Sequence, residues 1–321
     1  MPSHIYITNY DNLLVTIEFN LISLPEAPPS KRNSDSTNDY YISRMMSISE
    51  GDLVFVYLAD KRQLMGPWQA VGYPFYDSTP LWTGNSHPFR CRIKPICQSS
   101  RTLPLEKILM HMNANKLKAY AWYRQESTNA IFSISQAITR ILLFELRCFV
   151  FDCCISQSLS KTRSNENEVP SSLFKHIHRT KSLMPRYESS VMALLIDGLL
   201  KQRFRQLFAP YIDFVAYNVN GSNLETDIIL INEIILPTQQ YQVEYQIIEV
   251  KPKCFHHEAL MQIIGYGKNY LSLNPEKLSL CAVALNFPDE VLAYAHNKNL
   301  FDLKCFAYSV DSSGDLMLQK L

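Results

Sequence analysis

Residues 245–253, with the sequence YQIIEVKPK, decide how the C-terminal half of the chain is interpreted. Side chains alternate between the two faces of a β-strand, so Glu249 and Lys251 share one face while Ile248 and Val250 share the other. The two aliphatic residues suit a hydrophobic core. The segment therefore predicts a strand that buries one face and presents a carboxylate and an amine together on the opposite face.

The preceding segment, residues 225–231 with the sequence ETDIILI, predicts a second strand, in which Asp227 opens an apolar run. A hairpin with its tip near residues 236–244 would bring Asp227 beside Glu249. Adjacent carboxylates repel each other unless a proton or a cation lies between them, and Mg²⁺ prefers carboxylate, water and phosphate oxygens. With Lys251 beside them, the two acids favour metal-assisted hydrolysis of a phosphodiester. The alternative is an exposed ion pair, which explains Glu249 and Lys251 but not Asp227.

The elements around these two strands predict an α/β region from residue 187 onward. Helices are expected over residues 187–204 and 257–273, and strands at about 212–219, 226–235 and 243–251. A strand, a further helix and two short strands complete the chain. This order indicates a mixed β-sheet flanked by helices.

Thr226-Asp227 and Glu249-Val250-Lys251 resemble the two half-motifs of the PD-(D/E)xK nuclease superfamily, with Thr226 in place of the proline. The resemblance covers about residues 186–320. It implies a restriction-endonuclease-like fold, with Mg²⁺ as cofactor and Mn²⁺ as an expected substitute. It also implies that Asp227 and Glu249 bind the ion, that the Val250 carbonyl is a further ligand, and that Lys251 positions and activates the attacking water.

Two helix residues extend this resemblance. Glu188 matches an auxiliary acid on the helix before the hairpin, which implies that it helps to hold a second ion. Gln262 matches a glutamine on the helix after the hairpin, where it would orient Lys251 or the phosphate, and Tyr266 and Tyr270 follow it on the same helical face. The alternative for Glu188 and Gln262 is an ordinary solvated position on a helix.

The N-terminal half of the sequence indicates mainly β-structure with some helix. Residues 4–19 predict one or two strands, residues 25–39 a mobile loop, and residues 51–97 a series of strands punctuated by Gly and Pro. Helices are expected over residues 104–112 and 135–154. The fold class that follows is α+β for this half and α/β for the other.

The series GDLVFVY, GPWQAVG, a polar loop containing Trp82, and FRCRIKPI resembles the EVE/YTH group of PUA-like domains. The resemblance extends from His4 to about Leu146. It implies a small β-barrel with helices that turns one base into an aromatic-lined pocket, where several members read a modified base. Such a pocket is physically reasonable because an unstacked base regains stacking between rings while polar groups read its edge.

Trp82 is the first choice for a wall of the base pocket, and three residues of the same loop, Asn85, Ser86 and His87, would contact the edge of the base. Tyr76 is a weaker candidate. The alternative for Trp82 is a partly buried residue that anchors the loop, since a large aromatic ring fills space as readily as it stacks on a base.

The 321 residues carry a formal net charge of +1, so any nucleic-acid surface must be a local patch, because affinity follows the phosphates that are neutralised. Basic residues near the helix with Glu188 are candidate phosphate contacts, and the alternative is a solvated linker and helix face. These candidates are Lys175, Arg179, Lys181, Arg186 and Arg203.

Composition also bounds the compartment and the domain organisation. The eight Cys residues include no CxxC pair, which indicates reduced thiols. Without a signal peptide or a sufficiently long apolar span, we expect a cytoplasmic protein that makes no membrane contact. A polar segment separates the two halves, which predicts a reader domain over 1–150, a linker with a basic segment over 151–185, and a nuclease domain over 186–321.

The sequence as a whole therefore predicts an Mg²⁺-dependent endonuclease that hydrolyses DNA at or near modified bases, as in modification-dependent restriction. The modified-base step rests on the architecture of fused readers and nucleases. Cutting both strands would require a homodimer. Two alternatives stay open: an RNA-processing nuclease, and a non-catalytic nucleic-acid reader that uses an inactive nuclease fold.

Overall fold

The computed structural model describes residues 3–82, 84, 86–96, 102–114, 130–134, 136–147, 171–208, 213–215, 218–220, 224–235, 241–272, 274–297 and 301–321. These residues fall into two compact units, the first ending at His176 and the second beginning at Ile177. Both units combine α-helices with β-strands, as the sequence predicts.

The first unit is built on an eight-stranded sheet that forms a half-barrel. Its strands are β1 (Ser3–Thr8), β2 (Leu21–Leu24), β3 (Leu53–Leu58), β4 (Gln63–Tyr76), β5 (Phe89–Pro95), β6 (Leu103–Pro104), β7 (Ala130–Ile134) and β8 (Ser171–Ser172). The main path runs β2-β5-β4-β3-β1-β7, and β6 and β8 both pair with β4. Strands β1 and β3 are parallel, and the other pairs are antiparallel. Among the described residues β2 and β7 do not pair with each other, so the sheet is open where the resemblance implied a barrel.

Among the described residues, four α-helices and one 3-10 helix (Leu173–His176) accompany this sheet. The α-helices are α1 (Tyr10–Phe19), α2 (Ser34–Met46), α3 (Leu105–Ala114) and α4 (Gln136–Glu145). The strands expected within residues 51–97 and the helix expected over residues 104–112 are confirmed. The helix predicted over residues 135–154 is confirmed for its first half, and residues 148–154 lie outside the described part of the chain.

Two sequence predictions for the first unit are wrong in part. Residues 4–19 predict one or two strands, and β1 confirms one of them. Residues 10–19 instead form α1, which the Asn9 side chain caps by accepting a hydrogen bond from the Asn12 amide at 2.9 Å. Residues 25–39 were expected to form a mobile loop, but α2 begins at Ser34. This helix packs against β5 and β7, and its later residues Ile42 and Met45 are buried. Tertiary packing thus overrides the polar composition of its first turns.

The second unit is built on a six-stranded mixed sheet. Its strands are β9 (Asp213–Val215), β12 (Ile228–Ile235), β13 (Tyr241–Cys254), β14 (Lys277–Asn286), β15 (Asp302–Val310) and β16 (Leu316–Lys320), while β10 (Asn218–Asn220) and β11 (Leu224–Thr226) form a separate two-stranded sheet. The order is β16-β15-β14-β13-β12-β9, with β13, β14 and β15 parallel and the outer pairs antiparallel. The mixed sheet expected from the sequence is confirmed.

The helices of the second unit are α5 (Glu188–Leu200), α6 (Arg205–Phe208), α7 (His257–Leu271) and α8 (Asp289–His296). Helix α7 connects β13 to β14 and packs on both, and α8 connects β14 to β15, as parallel strands require. The central strand β14 reads LSLCAVAL through its middle and is buried over Ser279–Ala284, which is typical of a strand covered on both faces. Among the described residues, no helix has both the length and the apolar character needed to cross a bilayer.

The predicted linker, residues 151–185, lies partly outside the described residues, which resume at 171. Residues 171–176 belong to the first unit, where β8 pairs with β4. Residues 177–185 belong to the second unit, where Arg179 and Pro185 form an isolated antiparallel bridge. The boundaries expected at 150 and 186 stay predictions.

Two helical glycines of the second unit should respond oppositely to alanine. A Cβ on Gly198 of α5 would lie 2.2 Å from the buried ring of Phe204, whereas a Cβ on Gly265 of α7 would meet nothing within 4 Å. We expect Gly198→Ala to lower the free energy of unfolding by about 1–3 kcal/mol through overpacking. Gly265→Ala should raise it by about 0.5–1 kcal/mol, since alanine favours the helix. Urea unfolding of both variants checks this, and equal effects would contradict the packing described for α5.

Candidate functional site

Four side chains of the second unit converge where α5, β12 and β13 meet. In the β12–β13 pairing Ile228 lies opposite Ile248, so Asp227, which precedes β12, lies beside Glu249. The hairpin that the sequence predicts is therefore confirmed in its register. Glu188 is the first residue of α5, which packs against β13.

Short polar contacts tie these residues together. The Nζ atom of Lys251 donates to Glu188 Oε2 and to Glu249 Oε1, both at 2.7 Å. The Val250 amide donates to Asp227 Oδ2 at 2.7 Å. Glu249 is fully buried, Asp227 and Lys251 are partly buried, and Glu188 reaches the surface. Glu249 and Lys251 thus share a face as strand alternation predicts, and Asp227 joins them.

The three carboxylates can supply a cation site. One oxygen of each of Glu188, Asp227 and Glu249 lies within 4.8 Å of the others. The second oxygen of Glu249, Oε2, is buried and has no hydrogen-bond partner among the described residues. A buried carboxylate oxygen without a donor is costly unless a cation faces it. The donor set is all oxygen, which suits a hard divalent ion such as Mg²⁺.

The cluster perturbs the proton affinities of its own members. Burial, together with the charges of Glu249 and Glu188, raises the pKa of Asp227 well above its usual value. Burial also raises the pKa of Glu249 to about 7, against the opposing charge of Lys251. Burial alone would lower the pKa of Lys251, but the charges of Glu249 and Asp227 outweigh it and raise that pKa. Lys251 is therefore an ammonium at neutral pH, which donates protons and cannot accept one.

Gln262 makes a different contact from the one that the resemblance implied. Its side-chain amide donates to the Tyr266 hydroxyl at 2.5 Å, while Lys251 is held by Glu188 and Glu249. Tyr266 is buried, and its pKa is raised to about 12 by burial and by the charge of Glu249. Gln262 itself is exposed at the helix surface. A role for Gln262 in orienting the phosphate stays a prediction.

The five candidate phosphate contacts have different surroundings. Lys175, Lys181 and Arg186 are exposed, with Lys175 in the first unit and the other two in the second. Arg179 donates to the Gly314 carbonyl at 2.8 Å. Arg203 bridges Asp197 at 2.9 Å and Asp315 at 3.2 Å. The last two arginines are thus engaged within the second unit, and the other three candidates are exposed side chains.

In the first unit, Trp82 is 6 % exposed and packs with Leu21 and Phe75 in a small hydrophobic cluster. Its ring stacks on His87 with centroids 5.2 Å apart, and the Arg90 guanidinium lies 5.3 Å from its centre. This is the packing of the loop anchor that the sequence left as the alternative. The Trp82 Nε1 atom is buried without a hydrogen-bond partner among the described residues. A base-stacking role for Trp82 stays a prediction.

The loop around Trp82 is held by polar contacts. His87 is buried, and its Nδ1 atom lies 3.1 Å from the Ser23 hydroxyl. Burial and the nearby Arg90 lower the pKa of His87 to about 4, so the ring is neutral at neutral pH. Arg90 is itself buried and donates to Asp77 Oδ2 at 2.6 Å, to the His87 carbonyl at 2.9 Å and to the Thr79 carbonyl. A neutral histidine offers one donor and one acceptor, as an edge contact requires.

The remaining base-pocket candidates are Tyr76, Ser86 and Asn85, and the surroundings of the first two do not indicate a base-binding role. Tyr76 is half-buried and stacks on His176 at 3.9 Å between ring centroids. The Ser86 side chain is exposed, although its carbonyl accepts a hydrogen bond from the Glu26 amide at 2.9 Å. Asn85 lies outside the described residues.

Sequence reasoning missed two residues that organise the Trp82 loop, Arg90 and Ser23. It places Tyr266 on the same helical face as Gln262, but their contact depends on side-chain geometry. Arg90 and Ser23 lie on strands that are distant in sequence from each other, and alternation shows which face they share but not that they are buried. A buried arginine opposite an acid, as in Arg90 and Asp77, has no local sequence signal.

No protein-family model matches this chain, and no curated protein matches it at a significant level. Several solved structures show limited similarity. A hypothetical protein from Leishmania major has a TM-score of 0.33 and 13% identity, covering 46% of this chain and 95% of that one. Human THYN1 protein, in complex with 5-methylcytosine containing DNA, has a TM-score of 0.32 and 11% identity, covering 46% and 98%. The Mmi1 YTH domain has a TM-score of 0.27 and 17% identity, covering 45% and 75%. Similarity at these TM-scores assigns neither fold nor function.

The raised pKa of Glu249 predicts how stability changes with pH when no divalent ion is bound. A carboxyl whose pKa rises from 4.5 to about 7 on folding destabilises the folded state once it ionises. This loss of folding free energy is absent below pH 4.5 and complete above about pH 7. In EDTA, the free energy of unfolding of wild type relative to Glu249→Gln should therefore fall by roughly 1–3 kcal/mol across that window.

Urea unfolding at a series of pH values, followed by hydrogen exchange of the β12 and β13 amides, measures this difference within the second unit. If the free energy of unfolding of wild type relative to Glu249→Gln stays constant or rises with pH, the burial of an ionising Glu249 is contradicted. The Glu258→Gln variant is the matched control, because Glu258 is exposed on α7.

Proposed function

We propose that this chain is a metal-dependent nuclease whose reactive centre is formed by Glu188, Asp227, Glu249 and Lys251. The observation that carries the proposal is the convergence of three carboxylates and one ammonium at the junction of α5, β12 and β13. An isolated ion pair needs two charges. This cluster has four ionisable groups, and the pKa values of Asp227 and Glu249 are raised. Such an arrangement costs stability and suits a catalytic site.

The three carboxylates are the proposed ligands of Mg²⁺, with Mn²⁺ able to replace it and the Val250 carbonyl as a further ligand. The ion would supply charge neutralisation at the phosphate and a water of lowered pKa. The unpartnered Oε2 atom of Glu249 supports this assignment, because it is the buried oxygen in most need of a cation. The partial exposure of Glu188 keeps one side of the cluster open to substrate.

Lys251 is proposed to stabilise negative charge on the phosphate and to orient the attacking water. Its raised pKa keeps it protonated in the metal-free cluster, so it acts there as a hydrogen-bond donor and a positive charge. This refines the expectation that it activates water, since a lysine that holds its proton cannot serve as a general base. Its hydrogen bonds to Glu188 and Glu249 hold the ammonium against the carboxylates, where we propose that it meets a phosphate oxygen.

The proposed substrate is DNA that carries a modified base, cleaved at or near that base. This step rests on the resemblance of residues 51–97 to base-reading domains, together with the neutral His87 beside Trp82. Binding a base there would require the loop to release Trp82 from its present packing. Cleavage of both strands would use two copies of the chain, so we propose a homodimer on duplex DNA.

The first test is Mg²⁺-dependent cleavage by wild type, Lys251→Met and Lys253→Met. Lys253 is an exposed lysine two residues further along β13, which makes it a matched control. We expect Lys251→Met to slow cleavage by about 100-fold or more, because a charge-stabilising donor is lost, and Lys253→Met to stay within a few fold of wild type. Single-turnover rates with and without EDTA give the measurement.

Folding controls make the result of this cleavage assay decisive. Mg²⁺ should raise the Tm of wild type and of Lys251→Met, whose carboxylates remain, but not that of Asp227→Asn. If wild type shows no Mg²⁺-dependent cleavage of DNA or RNA, the enzyme proposal fails and the non-catalytic reader takes its place.

The second test compares substrates. A panel of duplex DNA with and without 5-methylcytosine, together with structured RNA, should show cleavage that is fastest on the modified duplex, because a pocket that reads a base discriminates between substrates before the cut. Equal rates on modified and unmodified duplex would remove the modified-base step and leave a general nuclease. Faster cleavage of the RNA would favour the RNA-processing alternative.

A further inference from the structure

Strand β5 carries three cations at alternate positions, Arg90, Arg92 and Lys94, so all three lie on one face of the half-barrel sheet. The first is buried under the Trp82 loop and paired with Asp77 at 2.6 Å. The other two side chains are more accessible to solvent: Arg92 is exposed and Lys94 is partly exposed. The stripe of positive charge therefore runs from the Trp82 loop to the surface.

Among the residues that the structure describes, no carboxylate lies within ion-pair distance of Arg92 or Lys94. The guanidinium of Arg92 instead lies 5.5 Å from the centre of the Phe75 ring. By strand rise, two residues along one strand are separated by about 7 Å. The two cations are thus spaced along a line and free to meet an anionic partner of repeating charge.

An exposed tyrosine lies on β4, two residues beyond the partner of Arg92 in the β4–β5 pairing. Strand β4 pairs with β5 at Val71–Arg92 and again at Phe75–Arg90, so the residues between form a bulge. Gly72, with a φ of 71°, allows the bulge, and Tyr73 projects from it with 76 % of its surface exposed. Bulges of this kind re-aim a side chain away from the sheet. A phenol ring held in solvent on the strand that pairs with Arg92 is an unusual use of a large aromatic residue.

We propose that Tyr73, Arg92 and Lys94 form a docking surface for a DNA strand, with phosphates on the two cations and one base stacked on the tyrosine. A row of cations that follows the backbone, combined with an exposed aromatic ring, is the chemistry that binds single strands with little sequence preference. An acidic protein segment would use the cations but would leave the tyrosine without a role. The proposal rests on the proposed DNA substrate, and it does not depend on hydrolysis.

The test measures binding of the full chain to a fluorescent single-stranded DNA in EDTA, over a range of salt concentrations. For Arg92→Gln/Lys94→Gln, we expect the slope of log Kd against log salt to fall by about 1.4, which corresponds to two phosphate contacts on a single strand. The double variant Arg32→Gln/Lys61→Gln removes the same charges from exposed positions elsewhere in the first unit and should leave the slope unchanged.

Tyr73 gives an independent measurement of the same surface. Tyr73→Ala should weaken binding about fivefold or more, through loss of base stacking, and Tyr73→Trp should bind as tightly as wild type. Equal slopes for the two double variants, an unaltered Kd for Tyr73→Ala, or an effect confined to RNA of the same sequence would each overturn the proposal. Because EDTA prevents metal-dependent cleavage, such a result leaves the nuclease proposal to be judged by the cleavage assay alone.

Discussion

The fully buried carboxylate of Glu249 is the constraint around which the second unit is arranged. An isolated ionised carboxylate in such a place is strongly unfavourable, so it must be neutralised or paired. Lys251 supplies one charge from the same face of β13, and the β12–β13 register adds Asp227, which raises the cost again. Lys251 alone does not balance the three carboxyl groups, and the proposed divalent ion would supply the remaining positive charge.

The first unit shows how differently a buried charge can be used. Arg90 is as buried as Glu249, but Asp77 and two carbonyl oxygens satisfy it, so it serves to fix the Trp82 loop. Arg92, two residues along the same strand, faces solvent and has no such partner within the described part of the chain. Complete satisfaction indicates a structural role, whereas an incompletely satisfied group is available to a ligand. The same criterion assigns a structural role to Arg203, which two aspartates hold.

The sequence was sufficient for the parts that local periodicity controls. Alternation along residues 245–251 correctly placed Glu249 and Lys251 on one face, and the apolar run after Asp227 predicted the hairpin. Prediction from the sequence failed where a single capping contact, or packing against residues distant in the sequence, determines the local structure. The Asn9 cap turns residues 10–19 into a helix despite their β-branched residues, and the burial of Trp82 depends on Leu21 and Phe75, which only the folded sheet brings together.

The central claim is that Glu188, Asp227 and Glu249 hold a divalent ion, and an anomalous-scattering measurement on crystals soaked in Mn²⁺ tests it most directly. The account predicts one anomalous peak within coordination distance of oxygens from all three carboxylates, and loss of that peak in Asp227→Asn crystals. A map with no peak at this cluster, at Mn²⁺ concentrations that saturate the carboxylate sites of known metal-dependent enzymes, would contradict the account and leave Lys251 as a structural counter-ion.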